Sequence, residues 1–260
     1  MKSDKLSIIV YSCLRNSDMW IIFSSLFKKY WGDCDYRLIL VTDRYKQADG
    51  CEYAFDDVIC VDSDWSTMIK TALSHAATPY VMLFMDDYLL SDYVRNVDIE
   101  RVLSTAIKEH SANIRLSDSF MIKPKFYEDN PDCAVYPAGS AYSFSTQAGI
   151  WDSSFLMKEI KDGWSAWDFE RIGSMECIQN EQPLLLYKKY SFPYVEGVRN
   201  GKWLPEGIKL CTENNIKLDY SKRKKSSFGD MLIVKLKAVI IGMAPNLVLN
   251  IQNWIQNVRK

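Results

Sequence analysis

Along the first 110 residues, continuous apolar runs alternate with segments in which apolar residues recur every three or four positions. Residues 6–11 (LSIIVY) are a short continuous run, the pattern of a strand buried on both faces. In residues 18–30, Met19, Ile22, Phe23, Leu26 and Phe27 fall on one side of a predicted helix. Residues 36–42 (YRLILVT) predict a second buried strand ending at Asp43, and residues 58–61 a short third strand followed by Asp62. A helix over 66–76 with Met68, Ile69, Ala72 and Leu73 on one face precedes a fourth strand at 80–85 (YVMLFM), and 99–110 predicts another helix. Repeated strand–helix units with uninterrupted apolar strands predict an α/β fold, an open and mostly parallel central sheet flanked by helices. The rhythm then fades. Residues 134–149 are rich in small residues and tyrosine and read as irregular, so the second half is expected to be an elaborated, substrate-facing portion.

Composition narrows the function classes. With 48% hydrophobic residues in 260, the chain can build a large core, which excludes wholesale disorder. Lys and Arg number 32 against 33 Asp and Glu, and this balance excludes nucleic-acid binding through bulk charge. Seven cysteines, an odd number with no C-x-x-C pair, point to reduced thiols rather than a disulfide framework or a zinc site. The apolar stretch near the N-terminus is too short and too polar for a signal peptide, so a cytoplasmic protein is expected.

Charge is unevenly placed. Residues 221–260 hold eight basic residues and one acid, Asp230, so this segment is +7 and residues 1–220 carry the −8 that brings the chain to −1. The basic run at 221–227 (SKRKKSS) is followed by apolar positions at helical spacing. The stretch 238–258 has no charge, but it contains Gly242, Pro245 and several Asn and Gln, too polar for a spanning helix. The expected organisation is a domain over 1–220 and a basic, amphipathic helical tail over 221–260. That tail would lie on an anionic membrane surface, or pack against the domain or a second copy as a homodimer.

Candidate chemistry gathers at predicted strand ends. Asp86 and Asp87 directly follow the fourth strand, and two adjacent carboxylates are costly inside a core. At the carboxyl end of a parallel strand they sit where open α/β sheets bind ligands, and one or two carboxylates suit a divalent cation bridging a diphosphate. Ser12, Cys13, Asp43 and Asp62 end the other strands and are candidates for a nucleotide's base or ribose, although Asp is also a common turn and cap residue. A second cluster, Trp164-Ser165-Ala166-Trp167-Asp168-Phe169-Glu170, combines stacking surfaces with carboxylates able to act as general base. Ser145, Thr146 and Gln147 can hydrogen-bond a sugar, and the stretch 142–151 that holds them reads equally well as a plain edge strand. Only His75 and His110 are present, which disfavours a Ser-His-Asp triad or a histidine metal site, and neither a G-x-G-x-x-G nor a P-loop pattern occurs.

These pieces, in order, resemble the bacterial GT-A glycosyltransferases of polysaccharide (O-antigen or capsule) gene clusters. The likeness runs from about Leu6 to about Gly207 through IIVYSC, KKYWGDCDYRLILVTD, VMLFMDDYLL, YSFSTQAGIWDSSFL, WSAWDFE and GVRNGKW. It implies a GT-A-like, Rossmann-like domain, a nucleoside diphosphate sugar such as a UDP-sugar as donor, and Mn²⁺ or Mg²⁺ at the acidic motif. Asp86 and Asp87 match that motif, with Asp87 the better metal candidate, whereas the common D-x-D form has a second Asp where this chain has Tyr88. Ser12, Cys13 and Asp43 match the nucleotide-binding strand ends. The WDFE segment resembles the one supplying the general base in inverting members, here Asp168 or Glu170. Arg199 and Lys202 in the late basic loop would contact the diphosphate, and Trp164, Trp167 and Gln147 the acceptor. The acceptor is expected to be a saccharide or lipid-linked saccharide, met by an enzyme held peripherally at the inner face of the membrane. Two alternatives stand beside this: a sugar-phosphate nucleotidyltransferase, which would normally carry a glycine-rich basic loop where this chain has SCLRNSD, and a non-catalytic nucleotide- or sugar-binding subunit.

Overall fold

A computed structural model describes residues 2–230 apart from 49, 118–122, 178–180 and 228. The expected amphipathic helices of the tail therefore lie outside the described residues. The four predicted strands appear as β1 (Leu6–Tyr11), β2 (Arg37–Thr42), β3 (Asp57–Cys60) and β4 (Tyr80–Met85), with β3 at the edge of the sheet. In space they run β3-β2-β1-β4, all parallel. The predicted helices appear as α1 (Ser17–Trp31), α2 (Trp65–Ala76) and α3 (Asn96–Lys108).

The uninterrupted apolar strands have the predicted cause. Ile8 and Val10 of β1 join one core with Trp20 and Phe23 of α1 and Val102 and Leu103 of α3. Ile9, between them, joins a second core on the opposite face with Met68 and Ile69 of α2. Each strand thus buries both its faces, and at about 25 cal/mol per Å² of apolar area this double burial is the main force holding the layers together. Strand β3 departs from the pattern. Its residues alternate between half-buried and exposed because only one of its faces is covered: Ile59 packs on the α2-side core while Val58 on the other face is exposed.

The second half extends the same sheet rather than leaving it. β9 (Gly149–Asp152) inserts antiparallel beside β4, and β6 (Asn113–Arg115), β10 (Leu184–Tyr187), β8 (Cys133–Tyr136) and β7 (Lys125–Phe126) follow, completing nine strands. Residues 134–136, expected to be irregular, belong to β8. α4 (Ser153–Glu159) packs its buried Phe155 and Leu156 on the α2 side of the sheet. Three small elements then cover the carboxyl edge. β5 (Tyr88–Leu90) pairs antiparallel with β11 (Tyr194–Glu196), and β12 (Val198–Arg199) makes a hairpin with β13 (Lys202–Trp203). α7 (Pro205–Glu213) follows, opened by a proline at its first turn. No helix among the described residues is long and apolar enough to cross a membrane.

Candidate active site

The register of β1 on β4 pairs Tyr11 with Met85, so the residues just beyond each strand meet at the carboxyl edge. There the Ser12 hydroxyl donates to Asp86 Oδ2 and accepts from Trp20 Nε1 at 2.6 Å. Asp86 is almost fully buried. Burial pushes its carboxyl up to about 6, against the opposing pull of the Ser12 hydrogen bond and the positive charge of Arg223. Asp87 differs: its Oδ1 is inaccessible to solvent and has no hydrogen-bond partner among the described residues. Burial, then the neighbouring carboxylates of Asp86 and Glu196, push Asp87 up to about 8. A buried, unpartnered carboxylate oxygen is costly to the fold, which makes it a natural place for a ligand.

Tyr88 is no substitute for a missing carboxylate. It opens β5, is buried, and packs its ring 4.8 Å from that of Tyr194. The β5–β11 register sets Glu196 directly opposite Tyr88. Glu196 in turn holds Arg199, whose Nε donates to Oε1 at 2.7 Å while Nη2 closes the second contact. Glu196 has no signal in the local sequence, because its relation to the acidic motif is made by a strand pairing between distant parts of the chain.

The turn after β1 is a 3₁₀ segment, Leu14–Asn16. Its Leu14 N–H donates to Asp43 Oδ1 at 2.6 Å, so Asp43 fastens the end of β2 to this turn. Burial raises the Asp43 carboxyl, but the backbone N–H groups of Leu14 and Arg44 and the Thr42 hydroxyl outweigh it and hold the group below its ordinary value. Cys13 is half-buried beside Asp86, and burial pushes its thiol up. Asp62 stands exposed past the edge strand β3, three strands away from β4 in the sheet. Lys202 pairs with Asp230 at 2.9 Å. Arg199 and Lys202 thus each hold a carboxylate of the chain itself. Arg223, from the run predicted to be tail, is buried and lies against the start of α1.

The tryptophan-rich segment folds as a turn α5 (Ala166–Asp168), a π-helical turn over Phe169–Gly173 and a turn α6 (Ser174–Glu176). Such π turns recur at functional sites because they re-aim side chains. Asp168 closes a capping box with Ser165 and pairs with Arg171 at 3.2 Å. Burial raises Asp168, yet the Ser165 and Arg171 contacts hold it below its ordinary value. Glu170 instead accepts from the Thr146 N–H at 2.6 Å and the Thr146 hydroxyl at 2.8 Å. Ser174 Oγ ties the two segments together, accepting from Phe144 N–H at 2.8 Å and donating to the Glu170 carbonyl. Arg115, a buried residue with no signal in the sequence, donates to the Tyr142 and Ser143 carbonyls and steadies a backbone in which Tyr142 takes φ +56°.

A small cleft lined by Tyr11, Trp65, Met85, Thr146 and Ala166 joins the two halves. The ends of β1 and β4 form one wall, and the Thr146 segment that holds Glu170 forms the other. The fold therefore brings Ser12, Cys13, Asp43, Asp86 and Asp87 to the edge that the Thr146 segment faces across this cleft. Trp167 is exposed and Trp164 half-buried, while Gln147 is exposed and accepts from the Ser117 hydroxyl at 3.0 Å. Among the described residues no group of three or more His, Cys, Asp or Glu side chains is arranged around a metal position. The protein's contribution to a cation would be the carboxylates of Asp87 and Asp86. That number suits an ion completed by phosphate oxygens and water, and the unpartnered Asp87 Oδ1 fits such a role.

No protein-family model matches the chain, and no curated protein matches it in sequence. Among solved structures, it is similar to residues 1–349 of TarS from S. aureus, at TM-score 0.48 and 13% identity, over 84% of this chain and 67% of that one. The same fragment solved with UDP-GlcNAc gives TM-score 0.48 at 11% identity, over 84% and 68% of the two chains. The longer TarS structure is covered over 41% of its length. A cytidylyltransferase from Leptospira borgpetersenii is similar at TM-score 0.44 and 12% identity, over 92% of this chain and 97% of that one.

Proposed function

We propose that this chain is a glycosyltransferase that moves a sugar from a nucleoside diphosphate sugar to a hydroxyl of a saccharide acceptor. One observation carries the reading. Asp87 holds a buried, unpartnered carboxylate oxygen beside Asp86 just past the parallel strand β4, and Thr146, which donates to Glu170, faces the ends of β1 and β4 across a small cleft. Ser12, Cys13 and Asp43 line the turn that would receive the nucleotide, with UDP the first candidate. Asp87, aided by Asp86, would hold Mn²⁺ or Mg²⁺. Such a cation offsets the charge that grows on the departing diphosphate.

Glu170 is the better of the two candidate bases. Its partners are neutral donors, whereas Asp168 is committed to a cap and to Arg171. In an inverting reaction Glu170 would take the acceptor hydroxyl's proton at Oε1 or Oε2 as the new bond forms. Trp167, exposed at the rim, and Trp164 offer stacking faces to the acceptor sugar. The 3₁₀ turn after β1 contains no glycine, which weighs against the nucleotidyltransferase alternative. A lipid-linked acceptor of cell-surface polysaccharide synthesis, met at the inner membrane face through the tail, is part of the same proposal.

Thermal unfolding of the purified protein with UDP, GDP, CMP or dTDP, each with Mn²⁺ and with EDTA, tests the reading. A ligand that binds only the native state raises the melting temperature. The expected result is a rise with one nucleotide that EDTA removes. A rise untouched by EDTA would drop the cation, and no rise with any nucleotide would drop the donor.

A further inference from the structure

The turn that follows β1 is fastened at three points by three distant parts of the chain. Ser12 is bonded to Asp86 at the end of β4, and the Leu14 N–H to Asp43 at the end of β2. The third fastening comes from beyond α7. Arg223 Nε donates to Asp18 Oδ2 at 2.6 Å, and its Nη2 donates to Asp18 Oδ1 at 3.0 Å and to Asn16 Oδ1 at 2.7 Å. Asp18 lies in the first turn of α1 and Asn16 ends the 3₁₀ segment, so one guanidinium spans both elements. Arg223 is buried, and Lys222 adds a second cation on Asp18 at 2.9 Å.

Arg223 is itself held in place. The Trp203 N–H donates to the Lys224 carbonyl at 2.9 Å, and the Ser226 N–H to the Trp203 carbonyl at 2.8 Å, so the segment docks beside β13 like an added strand. A run of lysine and arginine ordinarily stays in water; here one of its members leaves the run to close the site.

We infer that Arg223 is a positioning residue of the donor site: it holds the 13–18 turn in the shape that receives the nucleotide. The inference rests on the donor reading above only for what the turn binds. The geometry of a planar guanidinium forked between Asp18 and Asn16 is what a lysine cannot reproduce.

Full-length wild type, Arg223→Gln, Arg223→Lys and Asp18→Asn are compared by amide hydrogen exchange without ligand, and separately by UDP titration with Mn²⁺. In Arg223→Gln and Asp18→Asn, amides of residues 13–18 should exchange roughly tenfold faster while those of β8 and β10 keep their wild-type rates. UDP should bind roughly tenfold more weakly, with partial recovery in Arg223→Lys. Unchanged exchange over 13–18 overturns the inference whatever the nucleotide does. Faster exchange spread evenly over the sheet also overturns it, since that is the mark of a general stabiliser. A responsive turn in a protein whose wild type binds no nucleotide supports the positioning and sinks the donor reading instead. Should Arg223→Gln fail to fold, Arg223→Lys and Asp18→Asn carry the comparison.

Discussion

Replacing Asp87 by asparagine should make the ligand-free protein more stable, and only above acidic pH. The carboxyl ionises at about 8 in the fold against an ordinary 3.8. A group whose native value is raised binds its proton more tightly when folded, so ionisation costs the native state stability as pH climbs from 3.8 towards 8. At pH 7 that cost is about 4 kcal/mol, at about 1.36 kcal/mol per pH unit. The asparagine side chain would leave an amide short of partners, at about 1–2 kcal/mol. The net gain is then about 2 kcal/mol, or roughly 4–8 °C in Tm for a domain of this size. Thermal melts of wild type and Asp87→Asn in EDTA, from about pH 4 to about pH 8.5, read it directly. The difference should vanish or change sign near about pH 4 and grow to its plateau above about pH 8. Mn²⁺ with nucleotide should raise the Tm of the wild type and leave the variant where it is. A variant no more stable than wild type at about pH 7.5, or equally stabilised at about pH 4, would refute the claim that burial of an unpaired charge sets this site's energy.

The other carboxylates separate cleanly by assay. Glu170→Gln keeps an oxygen to accept from Thr146 but cannot take a proton, so turnover should fall about 10²–10⁴-fold with nucleotide affinity unchanged; turnover close to that of wild type in a transfer assay would remove Glu170 as base. Asp168→Ala loses a capping box and should cost about 1 kcal/mol in a denaturant melt with nucleotide binding intact. In Gly207→Ala the new Cβ would lie 2.6 Å from Gly197 Cα and 2.7 Å from its carbonyl oxygen, and backbone cannot yield as a side chain can. A loss of about 1–3 kcal/mol is expected. Nucleotide affinity should fall with it, because the Gly197 N–H holds the Asp87 carbonyl at 2.7 Å.

The parts of the fold legible in the sequence are those whose cause is local. Each of the runs in β1, β2 and β4 is apolar almost throughout because both faces are covered, and a run of six such residues is visible by itself. Strands β6, β8, β9 and β10 hold three or four residues each, and partners far along the chain give them their shape. A strand that short has no periodicity to read, which is why residues 134–136 look irregular in sequence and why the stretch 142–151 reads as no more than an edge strand, whereas β9 lies inside the sheet between β4 and β6.

The site divides along the same line, and its two surprises share one cause. Asp86 and Asp87 are conspicuous because a charge at the end of an apolar run is costly wherever the run goes. The residues whose charges act on them, Arg223 in attraction and Glu196 in repulsion, stand in stretches that look ordinary: a basic run, and a short strand before a hairpin. What distinguishes them is the partner. Arg223 meets Asp18 across 205 positions, and Glu196 meets Tyr88 through a strand register. The choice between Asp168 and Glu170, by contrast, is within reach of the sequence. Ser165-x-x-Asp168 is a capping-box pattern at a helix start, and a carboxylate claimed by a cap is the weaker base. Glu170, two residues on and carried by a π turn, takes hydrogen bonds from Thr146 instead. The Ser165-x-x-Asp168 spacing marks Asp168 as the capping carboxylate before any tertiary contact is known, and this is what favours Glu170 as the base proposed above.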